Sequence, residues 1–367
     1  MKLLLLSIFS LFIFTSQAQE YLFFGSQQTS SVYKVDLLNN NVKAIETGVS
    51  LVRRLSTDTL NKKIYWVVGS LNKIVSSDYS GANKQDVLLN ATNINNIKVD
   101  AVSSLIYYTI AGSNAIRVCS LNGANSQILI TQVNNAQGIA VDASHNAIYW
   151  TEYNNGNIKR ARLDGSNVTT IYNSTNLLFD LDINPLTGLL YFSNRTGDLI
   201  QTIDTNGANL QTVVSAGARI GTVKLSSQSN QLFWVTNETT RSQVLKSDLS
   251  GNNIQTIIDT VSFVISGIDI SEAPALVGIS ESKLNNEVSL FPIPFSDQLF
   301  VNFENSIANT VEIDLFDLQG RKVLSQQKYI DRQLQLNRGD LLPGYYILRL
   351  INQENNDVLL SKKVIIQ

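Results

Sequence analysis

Few side chains in this 367-residue chain could do chemistry unaided, because it has a single histidine, His145, and a single cysteine, Cys119. A Ser/His/Asp or Cys/His unit would have to recruit His145, which sits in the polar turn 142–147 between two apolar runs and reads as a solvated turn residue. One cysteine and one histidine cannot supply the clustered ligands of a structural zinc site, so no metal or cofactor is expected. The remaining candidates are the charged residues Lys98, Asp180, Asp182, Lys224 and Asp269. They could hold a cation or ligand, or balance one another as a ring of ion pairs, and the second reading is favoured. A second set, Arg53, Glu152, Tyr153, Asn194, Arg195 and Arg219, carries the mixed charge and aromatic character of a recognition surface.

A repeat positions both sets. Aromatic pairs stand at Phe23-Phe24, Tyr65-Trp66, Tyr107-Tyr108, Tyr149-Trp150, Tyr191-Phe192 and Phe233-Trp234, each 42 residues from the last. Turn glycines at Gly81, Gly123, Gly165, Gly207 and Gly251 follow with spacings of 42, 42, 42 and 44. The period runs from about Tyr21 to Ser271. Each unit reads as four short strands, best formed at 138–142, 148–152, 158–163 and 168–172, with a hairpin signal at Asp164-Gly165. Such a unit cannot bury both faces alone, so six units are expected to close radially into a six-bladed β-propeller. The aromatic pairs then lie on the second strands and pack between blades. Aligned first strands place Ser56, Lys98, Ala140, Asp182, Lys224 and Asp269 at one position between apolar neighbours, and alternation turns that position towards a central channel. The first unit lacks a first strand, and the spare segment 266–271 is expected to supply it beside 21–25.

The runs Gly138-Ile139-Ala140-Val141-Asp142, Ile148-Tyr149-Trp150-Thr151-Glu152 and Ile158 to Asn167 resemble the low-density-lipoprotein-receptor class B, or YWTD, repeat. The resemblance covers the whole repeat block, though the last letter of the motif is replaced by Val68, Ile110, Glu152, Asn194 and Thr236. An NHL-type six-bladed propeller is the nearest rival. The resemblance implies protein or peptide partners on the face made by turns entering first strands and leaving second strands, where the Arg53–Arg219 set falls.

Beyond Ser271 the period stops. Residues 272–288 read as a linker, and 289–367 as short alternating strands forming an immunoglobulin-like β-sandwich. The segments around Pro292 and Pro294, Gly320, Gly344-Tyr345 and Lys362-Lys363 resemble the type A C-terminal sorting domain of the type IX secretion system. That implies passage through a Gram-negative periplasm, recognition at the outer membrane, and release or attachment to surface lipopolysaccharide. Residues 1–18 agree with this route: Lys2, the apolar run Leu3 to Phe14, and small residues at Ser16 and Ala18 make a secretory signal peptide. No later apolar run is long enough to cross a membrane as a helix.

Charged residues make up only 16% of the chain at a formal net charge of -2, which excludes a generic nucleic-acid binder. The expectation is therefore an all-β, secreted or surface-displayed binding module, not an enzyme, for a protein, peptide or glycan ligand. The alternatives are a lactonase- or lyase-like propeller enzyme using axial carboxylates, and a structural surface or adhesion protein.

Overall fold

A computed structural model describes residues 20–271 and 288–366, apart from 50, 92, 102, 112, 113, 186, 228, 262, 293, 304–308, 318–321 and 354–357. The predicted signal peptide, Gly320 and all of the predicted linker except Val288 lie outside the described residues. No α-helix occurs among the described residues, and the chain is built of antiparallel sheets.

Residues 21–271 form six four-stranded sheets. Five are built from consecutive strands, and their first strands are Val52–Asp58, Ile94–Asp100, Ala136–Asp142, Leu178–Asn184 and Ile220–Ser226. The sixth joins the two ends of the repeat block. Ile265–Ser271 pairs with Tyr21–Ser26, placing Tyr21 opposite Ser271 and Phe23 opposite Asp269. First strands touch in the order 52–58, 94–100, 136–142, 178–184, 220–226 and 265–271, then back to 52–58, so the contacts run round a closed cycle.

The aromatic pairs explain why the sheets stack. The first aromatic of one sheet and the second of the next share an apolar cluster: Tyr65 with Tyr108, Tyr107 with Trp150, Tyr149 with Phe192, and Tyr191 with Trp234. Phe233 with Phe24, and Phe23 with Trp66, complete the cycle. All twelve rings are at most 4% exposed, so each junction between sheets is filled by an aromatic from either side. The glycine repeat has a separate cause. Gly165 has φ +83°, and a Cβ there would lie 2.3 Å from the carbonyl oxygen of Leu129 in the preceding sheet. Only glycine supplies that backbone and that clearance.

Residues 288–366 fold around their own core. One sheet orders Val288–Phe291, Gln298–Phe303 and Gln333–Asn337, and a second orders Lys322–Ile330, Asn309–Asp317, Gly344–Asn352 and Val358–Ile366. Leu299, Val301, Ile313, Leu315, Leu336, Leu348 and Val364 from both sheets make a single apolar cluster. The sequence pattern stops the strand at Leu324, yet pairing continues to Ile330. That strand is the sheet edge, and its mostly exposed side chains carry no apolar alternation.

Candidate functional site

Each first strand contributes residues to three layers around the centre the strands enclose. Counted from its first residue, the second position holds Arg53, Asn95, Gln137, Phe179, Gly221 and Ser266. The third holds Arg54, Asn96, Gly138, Asp180, Thr222 and Gly267, and the fifth is the Ser56–Asp269 position. The ladder to the second strand slips near the start of every one of these strands, for example between Val52 and Leu55 and between Leu178 and Leu181. Such a bulge bends the strand and re-aims side chains, which is why the second position escapes the packing between sheets.

The fifth layer stitches sheets together. Ser56 Oγ accepts from Val99 N at 3.0 Å, Asp182 Oδ2 from Leu225 N at 3.0 Å, and Asp269 Oδ2 from Thr57 N at 2.7 Å and Thr57 Oγ1 at 3.0 Å. In each case a side chain of one first strand satisfies a backbone donor on the next, which would otherwise be an unpaired strand edge. Lys98 Nζ lies 3.8 Å from Asp182 Oδ1.

The third layer crosses the centre. Arg54 Nη1 donates to Thr222 Oγ1, and Asn96 Nδ2 donates to Asp180 Oδ1 at 3.3 Å, each bond spanning an intervening sheet. Those intervening sheets carry Gly267 and Gly138; a Cβ on the first would sit 3.1 Å from Arg54 Cδ, and on the second 2.8 Å from Asp180 Cα. Asp180 is fully buried, accepts from Val223 N at 3.2 Å and lies 3.7 Å from Lys224 Nζ. Burial pushes the Arg54 guanidinium below its ordinary range, an effect that Asp180 opposes.

Above this floor, the second-position residues, half-buried except for the buried Gly221, open into a cavity of about 370 Å³, lined also by Gln27, Gln28, Arg195 and Asn237. Phe179 is its aromatic centre. Arg195 stacks with its guanidinium carbon 3.2 Å from the ring centroid, Arg54 at 4.5 Å, and Tyr153 meets the ring edge-on at 6.0 Å. Arg195 Nε donates to Ile220 O at 2.9 Å. Burial first, then the neighbouring Arg219, pulls the Arg195 pKa down to about 10.

Of the predicted face, Arg53 and Arg195 line the cavity, while Tyr153 and Arg219 flank it through Phe179 and Arg195. Glu152 and Asn194 are corrected. They are 1% and 3% exposed and serve local turns, not a surface. Glu152 accepts from Asn134 N at 3.0 Å and Asn157 Nδ2 at 2.9 Å and pairs with Lys159 at 3.1 Å; Asn194 Oδ1 accepts from Thr196 N at 3.1 Å. The predicted axial set Lys98, Asp180, Asp182, Lys224 and Asp269 lies in the third and fifth layers beneath the cavity, its carboxylates bonded to backbone amides. No cluster of metal-ligating side chains occurs among the described residues. His145 lies in the turn, with Nδ1 2.7 Å from Asp142 Oδ2. Arg54, Phe179, Asn95 and Gln137 are the functional candidates that the sequence reading missed.

Residues 289–367 match the family described as the secretion system C-terminal sorting domain. This tail implies secretion by the type IX route, to the medium or the cell surface. No curated protein matches the chain. Among solved structures, a chain of the crystal structure of a nidogen/laminin complex is similar at TM-score 0.61 and 19% identity, with 69% of this chain and 99% of that chain covered. The putative TolB from Agrobacterium tumefaciens is similar at 0.57 and 12%, covering 68% and 93%. TolB from Acinetobacter baumannii is similar at 0.59 and 11%, covering 69% and 66%. At these identities the likeness carries the fold alone, and that fold is a β-propeller.

Within the tail, Pro292 and Pro294 lie exposed between the strands Val288–Phe291 and Gln298–Phe303. Gly344 and Tyr345 open a strand whose Leu348 and Ile347 face Lys362 and Lys363 in the neighbouring ladder. Among the described residues, no helix is long and apolar enough to cross a membrane.

Proposed function

We propose that this protein is a six-bladed, YWTD-like β-propeller that acts as a secreted or surface-displayed binding module, exported through an immunoglobulin-like sorting domain that engages the type IX machinery. The leader 1–18 starts the route, and attachment to lipopolysaccharide is one of its two ends. The binding site is the cavity where first strands begin and second strands end. One observation carries this reading: half-buried Arg53, Phe179 and Arg195 converge on an open space above a floor whose polar groups are bonded to one another.

The same floor argues against an axial-carboxylate enzyme. A general acid or base must reach a reacting proton, and Asp180, Asp182 and Asp269 are at most 6% exposed with their oxygens turned to backbone donors. The experiment is a screen of the purified full chain against peptides, proteins and glycans that reads binding and conversion together. Saturable binding with the ligand recovered unchanged supports a module. Chemical conversion of a bound compound, abolished by Asp182→Asn, makes the protein an enzyme.

A further inference from the structure

We propose that the cavity selects a carboxylate presented on a peptide, with Arg53 and Arg195 as its clamp; this rests on the binding-module reading above. In the two buried layers the cations Arg54, Lys98 and Lys224 are matched by the carboxylates Asp180, Asp182 and Asp269. The rim adds Arg53, Arg195 and Arg219, and among the described residues none of the three forms a salt bridge. Glu152, the nearby acid on the predicted face, is committed to Lys159. Three guanidiniums around one half-buried mouth focus a positive potential into it. Burial first, and then the charge of Arg219, lowers the Arg195 pKa, and a bound anion opposes the second of these effects.

Geometry makes the clamp. Arg195 is held flat on Phe179, its Nε is spent on Ile220 O and its guanidinium is hydrogen-bonded to the Tyr153 side chain, which together fix the orientation of the group. Arg53 Nη1 reaches Ile94 O at 3.4 Å, so it too is tethered at the rim. Planar, tethered guanidiniums suit a planar carboxylate.

The amides select a peptide over a sugar acid. Asn95 Nδ2 donates to Ala136 O at 2.8 Å and Gln137 Nε2 to Asn135 Oδ1 at 3.2 Å, which leaves Asn95 Oδ1 and Gln137 Oε1 as acceptors at the mouth. Gln28 Oε1 accepts from Val264 N at 3.1 Å, leaving its Nε2 as a donor. Fixed acceptors and a donor beside arginines match backbone N–H and C=O groups next to a carboxylate. Sugar rings are recognised by open aromatic faces, and Phe179 is covered by Arg195 and Arg54 and met at its edge by Tyr153. The volume of about 370 Å³ lies near the small end of ligand pockets, roughly 300–1,000 Å³, as fits one acidic residue and its flanking backbone.

The test titrates the full chain with fluorescent pentapeptides of Gly, Ser and Asp (an Asp peptide with both ends blocked, a neutral peptide with a free C-terminus and a neutral peptide with both ends blocked) and, separately, with a fluorescent oligouronate. One or both free-carboxylate peptides should bind, which identifies a side-chain or a terminal source, and the blocked neutral peptide should not. Arg195→Ala and Arg53→Ala should each weaken binding about tenfold or more, with Arg195→Lys between them and wild type, whereas Arg160→Ala should leave it unchanged. If Arg195→Ala melts below assay temperature, Arg219→Ala on the exposed rim should still lower affinity and flatten its salt dependence. Absence of acidic-peptide binding, equal binding of the blocked neutral peptide, or preference for the oligouronate would overturn the inference. Binding of other ligands unaffected by the arginine variants would do so while sparing the module reading, which falls only on turnover.

Discussion

The carboxylate of Asp269 accepts the backbone N–H of Thr57 at 2.7 Å across 212 residues of sequence. The strand that closes the repeat block is thereby tied both to Tyr21–Ser26 by a ladder and to the next sheet by a buried side chain. Asp269→Ala leaves the Thr57 donor unpaired, so it should cost about 1–3 kcal/mol. Asp269→Asn, whose amide oxygen can still accept, should cost less. Equilibrium urea unfolding checks both, and identical midpoints for Asp269→Ala and wild type would remove the stitch from the account.

Trp150 fills the junction between the sheets that begin at Ile94 and Ala136, together with Tyr107, and its indole Nε1 has no hydrogen-bond partner among the described residues. Trp150→Ala should therefore cost about 3–5 kcal/mol. Trp150→Phe should stay within about 1.5 kcal/mol, because the lost volume is partly offset by removing an unpaired buried donor. Comparable losses in both variants would show that the indole nitrogen is bonded.

Gly165→Ala should destabilise by about 1–3 kcal/mol, since it combines a left-handed backbone with a clash against Leu129 O. Gly217→Ala is the comparison, with φ +63° and open space around it. A thermal melt should drop further for Gly165→Ala. Equal shifts would reduce the repeat glycine to a turn preference.

The period, the aromatic junctions and the closing strand were legible in the sequence because each demands a particular residue at a fixed interval. The tail was legible through its proline and glycine turns, although its edge strand ran past the apolar pattern to Ile330. The site was less so. Strict alternation assigns Phe179, two residues before Leu181, to the packed interior, and only the bulge turns it into the mouth. Glu152 and Asn194 look like loop charge and loop amide, yet their oxygens are the acceptors that turn amides at Asn134 and Thr196 require.

Burial raises the Cys119 thiol from 9.0 to about 11 and Tyr65 from 10.0 to about 12, and shifts Tyr79 and Tyr107 upwards as well. These groups stay neutral in the fold while the unfolded chain ionises. Stability should be undiminished by them below pH 9 and should fall as pH rises from 9 through 11 and 12. Cys119 should likewise resist alkylation at pH 8 until urea unfolds the chain. A stability profile flat from pH 8 to 11 would contradict the buried assignment.

Hydrogen–deuterium exchange on the full chain, with and without saturating blocked Asp pentapeptide, tests the location of the binding site most directly. Protection should concentrate in 52–54, 94–96, 136–138 and 178–180 and at Arg195, the segments that build the mouth, with the outer strands unchanged. Protection confined to the outer strands, or to a second, smaller cavity of about 250 Å³ lined by Arg160, Arg162 and Thr169, would place recognition elsewhere and contradict the account.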